Sequence, residues 1–445
     1  MKLRLIATFL LLAATCGAAE YKAGAARVNI SPRESIWMGG YAARKRPSTD
    51  VAQDLWVKAL AIEDAHGHRV VILTMDLLRV PRLIVEPLAQ ELKGRYGIER
   101  SELLLNCAHN HSGPSPWEND PFTAMAPQEY AKCRRYTESL KDAFATAVGE
   151  ALRNMAPAAI FHGTGEAGFA ANRRVKTAKG YDIGYNPDGP VDHRVPVLEV
   201  VGKDGRLIAV LFGYACHNTT VEGSCLRING DYAGYAQADL EQAHPGAVAL
   251  FMQLCAGDQD PHPRGGLEIA AQHGKELSGA VEKVLNGKLA AVHGRIGTAL
   301  QMTDLDFAPH TREQFEKRLN DPLPARVRNA RAMLAAYDAG HPIRSIPYPV
   351  QAVTFGHSLS LLALGGEPVI DYALRARREF PNAIVLGYSN LVRSYVPSRR
   401  VLAEGGYEPE ESMLYYGLPG PYAPDVEDRI FSAIGSALKQ AGGRR

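Results

Sequence analysis

Short apolar runs alternate with stretches of helical period along most of this chain, and that alternation admits few architectures. The runs Val70 to Met75, Leu103 to Leu105, Pro196 to Val201, Leu207 to Phe212, Ala247 to Met252, Leu359 to Leu364 and Ala383 to Leu386 have strand length and strand composition. Between them, helical spacing covers 81 to 95, 128 to 154, 232 to 243, 267 to 286, 311 to 338, 368 to 379 and 424 to 440. The pattern predicts an α/β (mixed α+β) fold of layered sheets and helices, with functional side chains on loops at strand ends. The polar, charged stretch 311 to 338 reads as a surface helix pair rather than a lid. The 28 prolines and 42 glycines argue for many turns and against a helical bundle. At 445 residues, length alone allows two or three domains. No low-complexity linker or fixed-period repeat divides the chain, so residues 20–445 are expected to form a single domain.

The first residues read as a secretory leader. Lys2 and Arg4 supply positive charge, residues 5 to 15 are apolar apart from Thr8 and Thr15, and Gly17-Ala18-Ala19 offers a cleavage site after Ala19. Thr15 directly before Cys16 suits a lipoprotein signal poorly. The apolar stretch is short for a membrane span, and no later segment reaches about 20 apolar residues. The mature protein is therefore expected to be exported, secreted or periplasmic. Net charge is +2 with the signs mixed, which gives no basic stripe for nucleic acid. Export permits disulfides. Cys107, Cys133, Cys216, Cys225 and Cys255 remain after cleavage, an odd number, and Cys216 with Cys225 could close a small loop. Small buried packing residues are the favoured reading of these cysteines.

Chemistry concentrates where apolar runs end. Leu103-Leu104-Leu105 leads into Cys107-Ala108-His109-Asn110-His111-Ser112-Gly113-Pro114, with two histidines one residue apart. On a strand, both imidazoles leave one face. Leu207 to Phe212 leads through Gly213-Tyr214-Ala215-Cys216 to His217. Two strands that each end in histidine suggest one metal centre, because borderline metals such as zinc bind neutral imidazole well. Polar residues also follow strands at Asn229-Gly230-Asp231-Tyr232, at Gly257-Asp258-Gln259-Asp260-Pro261 and at Gly365-Gly366-Glu367-Pro368. A lone His or Asp beside a strand is usually a satisfied structural group. Several together in an exported chain favour a site. A His-x-His after a strand also occurs in amidohydrolase barrels, but the eight regular β/α units of a barrel are not found here.

The motifs together resemble the catalytic N-terminal domain of the neutral (non-lysosomal) ceramidases. Gly24 to Pro32 with Met38-Gly39-Gly40-Tyr41-Ala42 is similar to that family's opening segment. His109 to Pro114 resembles its T-H-T-H-S-G-P motif, and Ala171-Asn172-Arg173-Arg174 its N-R-S element. Asn229 to Ala236 resembles S-G-D-N-K-G-Y-A, and Gly257 to Pro261 resembles G-D-V-S-P. Tyr395 and Tyr407-Glu408 match a Tyr and a Tyr-Glu-Gly in spacing. The motifs run in family order across almost the whole mature chain.

The resemblance implies one zinc ion (Zn2+) held by His109, His217, Glu367 and Tyr395. It places His111, Arg173 and Tyr407 around it as proton-moving or substrate-contacting groups, and implies hydrolysis of an N-acyl bond by activated water. The substrate would be ceramide, a sphingolipid amide, or another N-acylated lipid or amino sugar. Two departures stand out. The serine of G-D-V-S-P is Asp260 here, leaving a carboxylate to act as a base, a further ligand or a substrate-positioning group. The last motif lies near Arg445, so the family's C-terminal immunoglobulin-like domain is expected to be missing. Two other readings stay open beside the amidase. One is a metal-dependent esterase or phosphoesterase in which Asp231, Asp258 and Asp260 recruit a second metal. The other is a non-catalytic binding homologue.

Overall fold

The computed structural model describes residues 20–117 and 125–442. The leader expected over residues 1–19 lies outside the described residues.

Strand formation follows the apolar alternation. In Trp56–Asp64, Leu60 and Ile62 enter one core while Val57, Ala59 and Ala61 enter another. The same split divides Val70 and Ile72 from Val71 and Leu73 in the next strand, Arg69–Met75. Both faces are buried, so these strands read as continuous apolar runs. They belong to a nine-stranded sheet ordered Val248–Gln253, Leu207–Tyr214, Arg194–Gly202, Ala156–Glu166, Tyr21–Asn29, Trp56–Asp64, Arg69–Met75 and Leu103–Cys107, with Ala290–Ala291 paired to Ala156–Glu166. Neighbours are antiparallel except at the two ends. There Leu103–Cys107 runs parallel to Arg69–Met75, and Val248–Gln253 parallel to Leu207–Tyr214.

A second sheet, in the order Ile296–Asp306, Ser345–Phe355, Leu359–Leu364 and Ala383–Leu386, covers one face of the first. Its last two strands are also parallel. One hydrophobic cluster joins Leu60, Ile72, Leu104 and Leu250 of the first sheet to Val350, Leu361 and Leu364 of the second. The same cluster runs from Tyr21 to Ala441 and takes in Ile430, Ile434 and Ala437 of the C-terminal helix, Val426–Gly442. On the far face of the first sheet, helices Arg82–Tyr96 and Pro127–Arg153 contribute Leu88, Leu92, Phe144 and Val148. Helices Asp231–Ala243 and Leu267–Leu285 contribute Tyr232, Leu240, Leu277 and Val281. The layers are therefore helix, sheet, sheet and helix. Each fully buried Leu or Phe in them contributes roughly 1.5–3 kcal/mol.

Curling of the first sheet positions the site. Its two end strands meet at a seam where the Asn106 amide closes both open edges: Nδ2 donates to the Gln253 carbonyl at 3.2 Å, and the Gln253 N–H donates to Oδ1 at 2.8 Å. The second sheet enters the same seam through backbone bridges between Leu254 and Leu386 and between Asn106 and Ser389. These three parallel pairs thus deliver their C-terminal ends to one place.

The expected helices are present, 311 to 338 as the pair Arg312–Lys317 and Pro324–Asp338. The expected strands are present too, but most pairings of the first sheet run through strands that were not expected and are antiparallel. The described cysteines are all free: no bond joins Cys216 to Cys225, and Cys107, Cys133, Cys216 and Cys255 are buried packing groups. No helix among the described residues is long and apolar enough to cross a membrane.

Candidate metal centre

His109 lies two residues beyond Leu103–Cys107, with φ 55°. A side-chain-bearing residue in this left-handed region is strained by about 1 kcal/mol or more, and the flanking backbone holds it there. Ala108 N–H donates to Met75 O at 2.9 Å and Asn110 N–H to Leu77 O at 3.2 Å. The His109 ring then donates from Nδ1 to Leu78 O at 2.7 Å. His217 is anchored in the same way: its N–H donates to Gln259 O at 3.0 Å, and its Nδ1 lies 2.7 Å from Ala256 O. Glu367 follows Gly366, whose φ of 63° permits the turn, and stands opposite Tyr395 in a two-residue parallel ladder. Both side chains therefore leave the same side. His111 packs against Gly40, where a Cβ would come within 2.4 Å of its ring, so the Gly-Gly-Tyr segment leaves room for that imidazole.

These groups converge. Nε2 of His109 lies 3.1 Å from Nε2 of His111 and 3.1 Å from Oε2 of Glu367. Nε2 of His217 lies 3.2 Å from the same Glu367 oxygen and 3.2 Å from the Tyr395 hydroxyl. Ligand atoms of His109, His111 and His217 all fall within 4.8 Å of one another, so the three could hold a metal ion. The donor set fits a cation for a chemical reason. Nδ1 of His109 and of His217 each faces a carbonyl oxygen and must carry a proton there, which leaves Nε2 as the ligand atom turned toward the centre. Burial pushes both His111 and His217 below the ordinary imidazole value, which keeps them neutral. Buried imidazole nitrogens and a carboxylate oxygen crowded this closely are costly unless a cation joins them.

Around the cluster, Arg173 stacks its guanidinium over Tyr395 at 5.4 Å and Tyr407 at 5.6 Å. Its Nε donates to Glu408 Oε1 at 3.0 Å and its Nη1 to Asp260 Oδ1 at 3.3 Å. Its Nη2 is buried with no hydrogen-bond partner. Burial alone would lower its pKa, but Tyr395, Asp260 and Glu408 prevail and keep it charged. The eight residues singled out by sequence, His109, His111, His217, Glu367, Tyr395, Arg173, Asp260 and Tyr407, therefore lie together. Two points of emphasis change. His111, expected outside the ligand set, has its Nε2 within the donor cluster.

Two of the three carboxylates expected to recruit a second metal, Asp231 and Asp258, are also committed elsewhere. Asp231 accepts backbone N–H groups of Thr220, Val221 and Tyr232, and Asp258 accepts from Ile370 N, Gln259 and Asn172. Sequence reading missed Tyr416, which donates to Glu367 Oε1, and Tyr388, whose ring lies 4.5 Å from that of His109 and whose hydroxyl is buried without a partner. It also missed Glu408, which carries both Arg173 and Arg174. Tyr407-Glu408 had been read for its tyrosine alone. Tyr388 and Tyr416 carry no motif signal.

The sequence profile of the neutral/alkaline non-lysosomal ceramidase N-terminal region matches residues 21–305. The chain belongs to the neutral/alkaline non-lysosomal ceramidase family. It is similar to neutral ceramidase of Pseudomonas aeruginosa, at 25% identity over 54% of this chain and 37% of that protein. It is also similar to neutral ceramidase B of Dictyostelium discoideum, at 25% identity over 56% of this chain and 36% of that protein. The aligned stretches thus span little more than a third of these relatives. The crystal structure of the Pseudomonas aeruginosa ceramidase superposes with a TM-score of 0.73 at 19% identity, covering 96% of this chain and 74% of that one. A second ceramidase structure, complexed with C2, superposes at 0.72. The ceramidase fold therefore extends past residue 305, through the segments that carry Glu367, Tyr395 and Tyr407.

Proposed function

We propose that this chain is an exported, zinc-dependent amidase that hydrolyses an N-acyl bond, in ceramide or in another N-acylated lipid or amino sugar. The observation that carries the reading is the meeting of imidazole Nε2 atoms with Glu367 and Tyr395 beside a charged Arg173 that has an unused N–H. Membership of the ceramidase family supports the amide bond as the target.

In this reading His109, His217, Glu367 and Tyr395 hold the zinc, with His111 at the open side. When bound, the ion would supply Lewis acidity, polarising an amide carbonyl and bringing the pKa of a water toward about 7. The rest falls to the chain. Arg173 Nη2 donates to the amide oxygen as negative charge develops there, and pays little reorganisation because Glu408 and the two tyrosine rings fix the guanidinium. His111, neutral through burial, takes a proton from the attacking water and returns it to the departing nitrogen. One water and one amide give one carboxylic acid and one amine. Tyr407 walls the substrate side of Arg173. A leader over residues 1–19, as expected from the sequence, would suit a site that works outside the cytoplasm.

Purified protein analysed for metal and screened against N-acyl substrates tests the proposal. About one zinc per chain together with amine release supports it. Amide turnover that survives complete zinc removal refutes it.

A further inference from the structure

The open side of the cluster is polar, and its composition bears on the amine half of the substrate. Asp260 sits on the short strand Gln259–Pro261, opposite Ala171. Neighbouring carbonyls on this segment fix its position: Gln259 O receives the N–H of His217 and Asp258 O receives the N–H of Arg173, each within 3.0 Å. The Asp260 carboxylate therefore stands beside Arg173 on a segment whose backbone also holds His217, with 16% of its side chain exposed. Arg173 Nη1 lies 3.3 Å from Oδ1, Thr219 Oγ1 lies 3.4 Å from Oδ1, and Arg264 Nη1 lies 3.8 Å from Oδ2. These contacts are long for an ionised acceptor, which normally takes charge-assisted bonds nearer 2.7–2.9 Å. Among the described residues, the contact given for Oδ2 is that 3.8 Å approach of Arg264.

The rest of this wall is similar in kind. Exposed Arg264 donates to Thr219 O at 2.8 Å and to the Tyr41 hydroxyl at 3.0 Å. His262 continues the ladder beyond Pro261 by donating its N–H to Phe169 O at 2.7 Å, so strand alternation turns it to the same side as Asp260. Its ring stacks on Tyr185 at 3.9 Å and 17°, and Tyr185 remains 54% exposed. A carboxylate with spare acceptor capacity, a nearby guanidinium and an exposed aromatic stack suit a ring that bears several hydroxyls. An alkyl chain laid on the same wall would strip water from Asp260 and Arg264 and give nothing back.

We infer that Asp260 is the specificity-determining residue of this site, and that with Arg264 and the Tyr185–His262 stack it selects N-acyl amines whose amine part is polyhydroxylated, an amino sugar, over those bearing a long-chain base. The inference rests on the amidase reading above. The test uses N-lauroyl-glucosamine and N-lauroyl-sphingosine, which share an acyl chain, with the zinc-loaded wild type and D260N. Wild type should favour the sugar amide in kcat/KM. D260N should lower the sugar-to-sphingosine ratio of kcat/KM at least about tenfold, the usual cost of a lost hydrogen bond to a charged group.

A second readout needs no variant. Free glucosamine should compete with substrate at least about tenfold more tightly than hexylamine, which carries the amine without the hydroxyls. If both amides are cleaved but the ratio moves less than threefold, or if the two amines compete equally, the inference is overturned and the amidase reading stands. If wild type cleaves neither amide while fully zinc-loaded, the amidase reading falls and this inference falls with it.

Discussion

Arg173 is held on one side by Glu408 and on another by Asp260, and it is clamped between two tyrosine rings. So many restraints on one guanidinium, with Nη2 left unpaired, mark a group aimed at something outside the protein. R173A is expected to lower kcat by about 10²–10³-fold, the usual cost of losing one donor to a developing oxyanion. Zinc content should be unchanged, because the firm hydrogen bonds of Arg173 run to Glu408 and Asp260, neither of them an expected ligand. Loss of metal from R173A would assign the residue a structural role instead. Tyr416 makes the opposite prediction. Its hydroxyl orients Glu367, so Y416F should weaken zinc affinity about 10–100-fold, as removal of a ligand's supporting hydrogen bond commonly does. Competitive chelator titration measures it, and an unchanged affinity would remove Tyr416 from the site. The two residues also differ in legibility. Arg173 stood out because it sits in a polar motif that could be matched. Tyr416 is one aromatic among many near the C-terminus, and only the fold brings it to Glu367.

At the scale of elements, the segment Gly257 to Pro261 is a splice. Asp258 Oδ1 accepts from Ile370 N at 2.8 Å at the start of helix Asp371–Glu379, and Oδ2 accepts from Asn172 at 3.0 Å in strand Ala170–Thr177. Burial, then the nearby Asp371 charge, pushes this carboxyl up to about 6 from its ordinary 3.8. A group with a raised folded pKa stabilises the fold fully below its unfolded value and loses that contribution as pH rises through the folded value. Asp258 should therefore favour folding at pH 4 relative to pH 7, by about 3 kcal/mol at most for a shift of roughly two units. Melting curves of wild type and D258N across pH 4–7.5 isolate the term. The advantage of wild type over D258N should shrink as pH rises through about 6, and a constant difference would contradict it.

Elements were legible in proportion to how both faces are buried. Arg69–Met75 and Leu207–Tyr214 each contain an unbroken apolar run, Val70 to Leu73 and Leu207 to Phe212, and stand out. Tyr21–Asn29 and Ala156–Glu166 are rich in Ala and Gly, are partly exposed, and pair antiparallel, so they gave no run to find. Missing them concealed that the first sheet is mostly antiparallel. The parallel pairs at its ends, which carry the histidines, were the part that could be read.

At the scale of the molecule, the candidate ligands come from separate parts of the architecture. His109 and His217 follow strands toward opposite ends of the first sheet, whereas Glu367 and Tyr395 follow the second sheet's parallel pair, Leu359–Leu364 and Ala383–Leu386. Asn106 closes the seam between the sheet edges with neutral hydrogen bonds only. A cation at the centre would therefore tie both edges of one sheet to the other. The two-sheet layering was foreseeable from alternation, but this closure was not. It depends on a curl set by sheet twist, and on a single asparagine within an apolar strand. Binding that is selective for the folded state adds RT ln(1 + [L]/Kd) to stability, about 4 kcal/mol at a thousandfold excess over Kd. Zinc should raise the melting temperature and a chelator should lower it.

The location of the change is the sharper test. On metal removal, amide hydrogen exchange should accelerate at 107–112, 215–220, 365–369 and 388–396, the segments that meet at the seam. It should stay slow in helix Arg82–Tyr96, which packs on the far face of the first sheet through Leu88 and Leu92. Acceleration spread evenly over that helix and the seam would mean that the ion supports the whole fold, and would argue against a local tie between the two sheets.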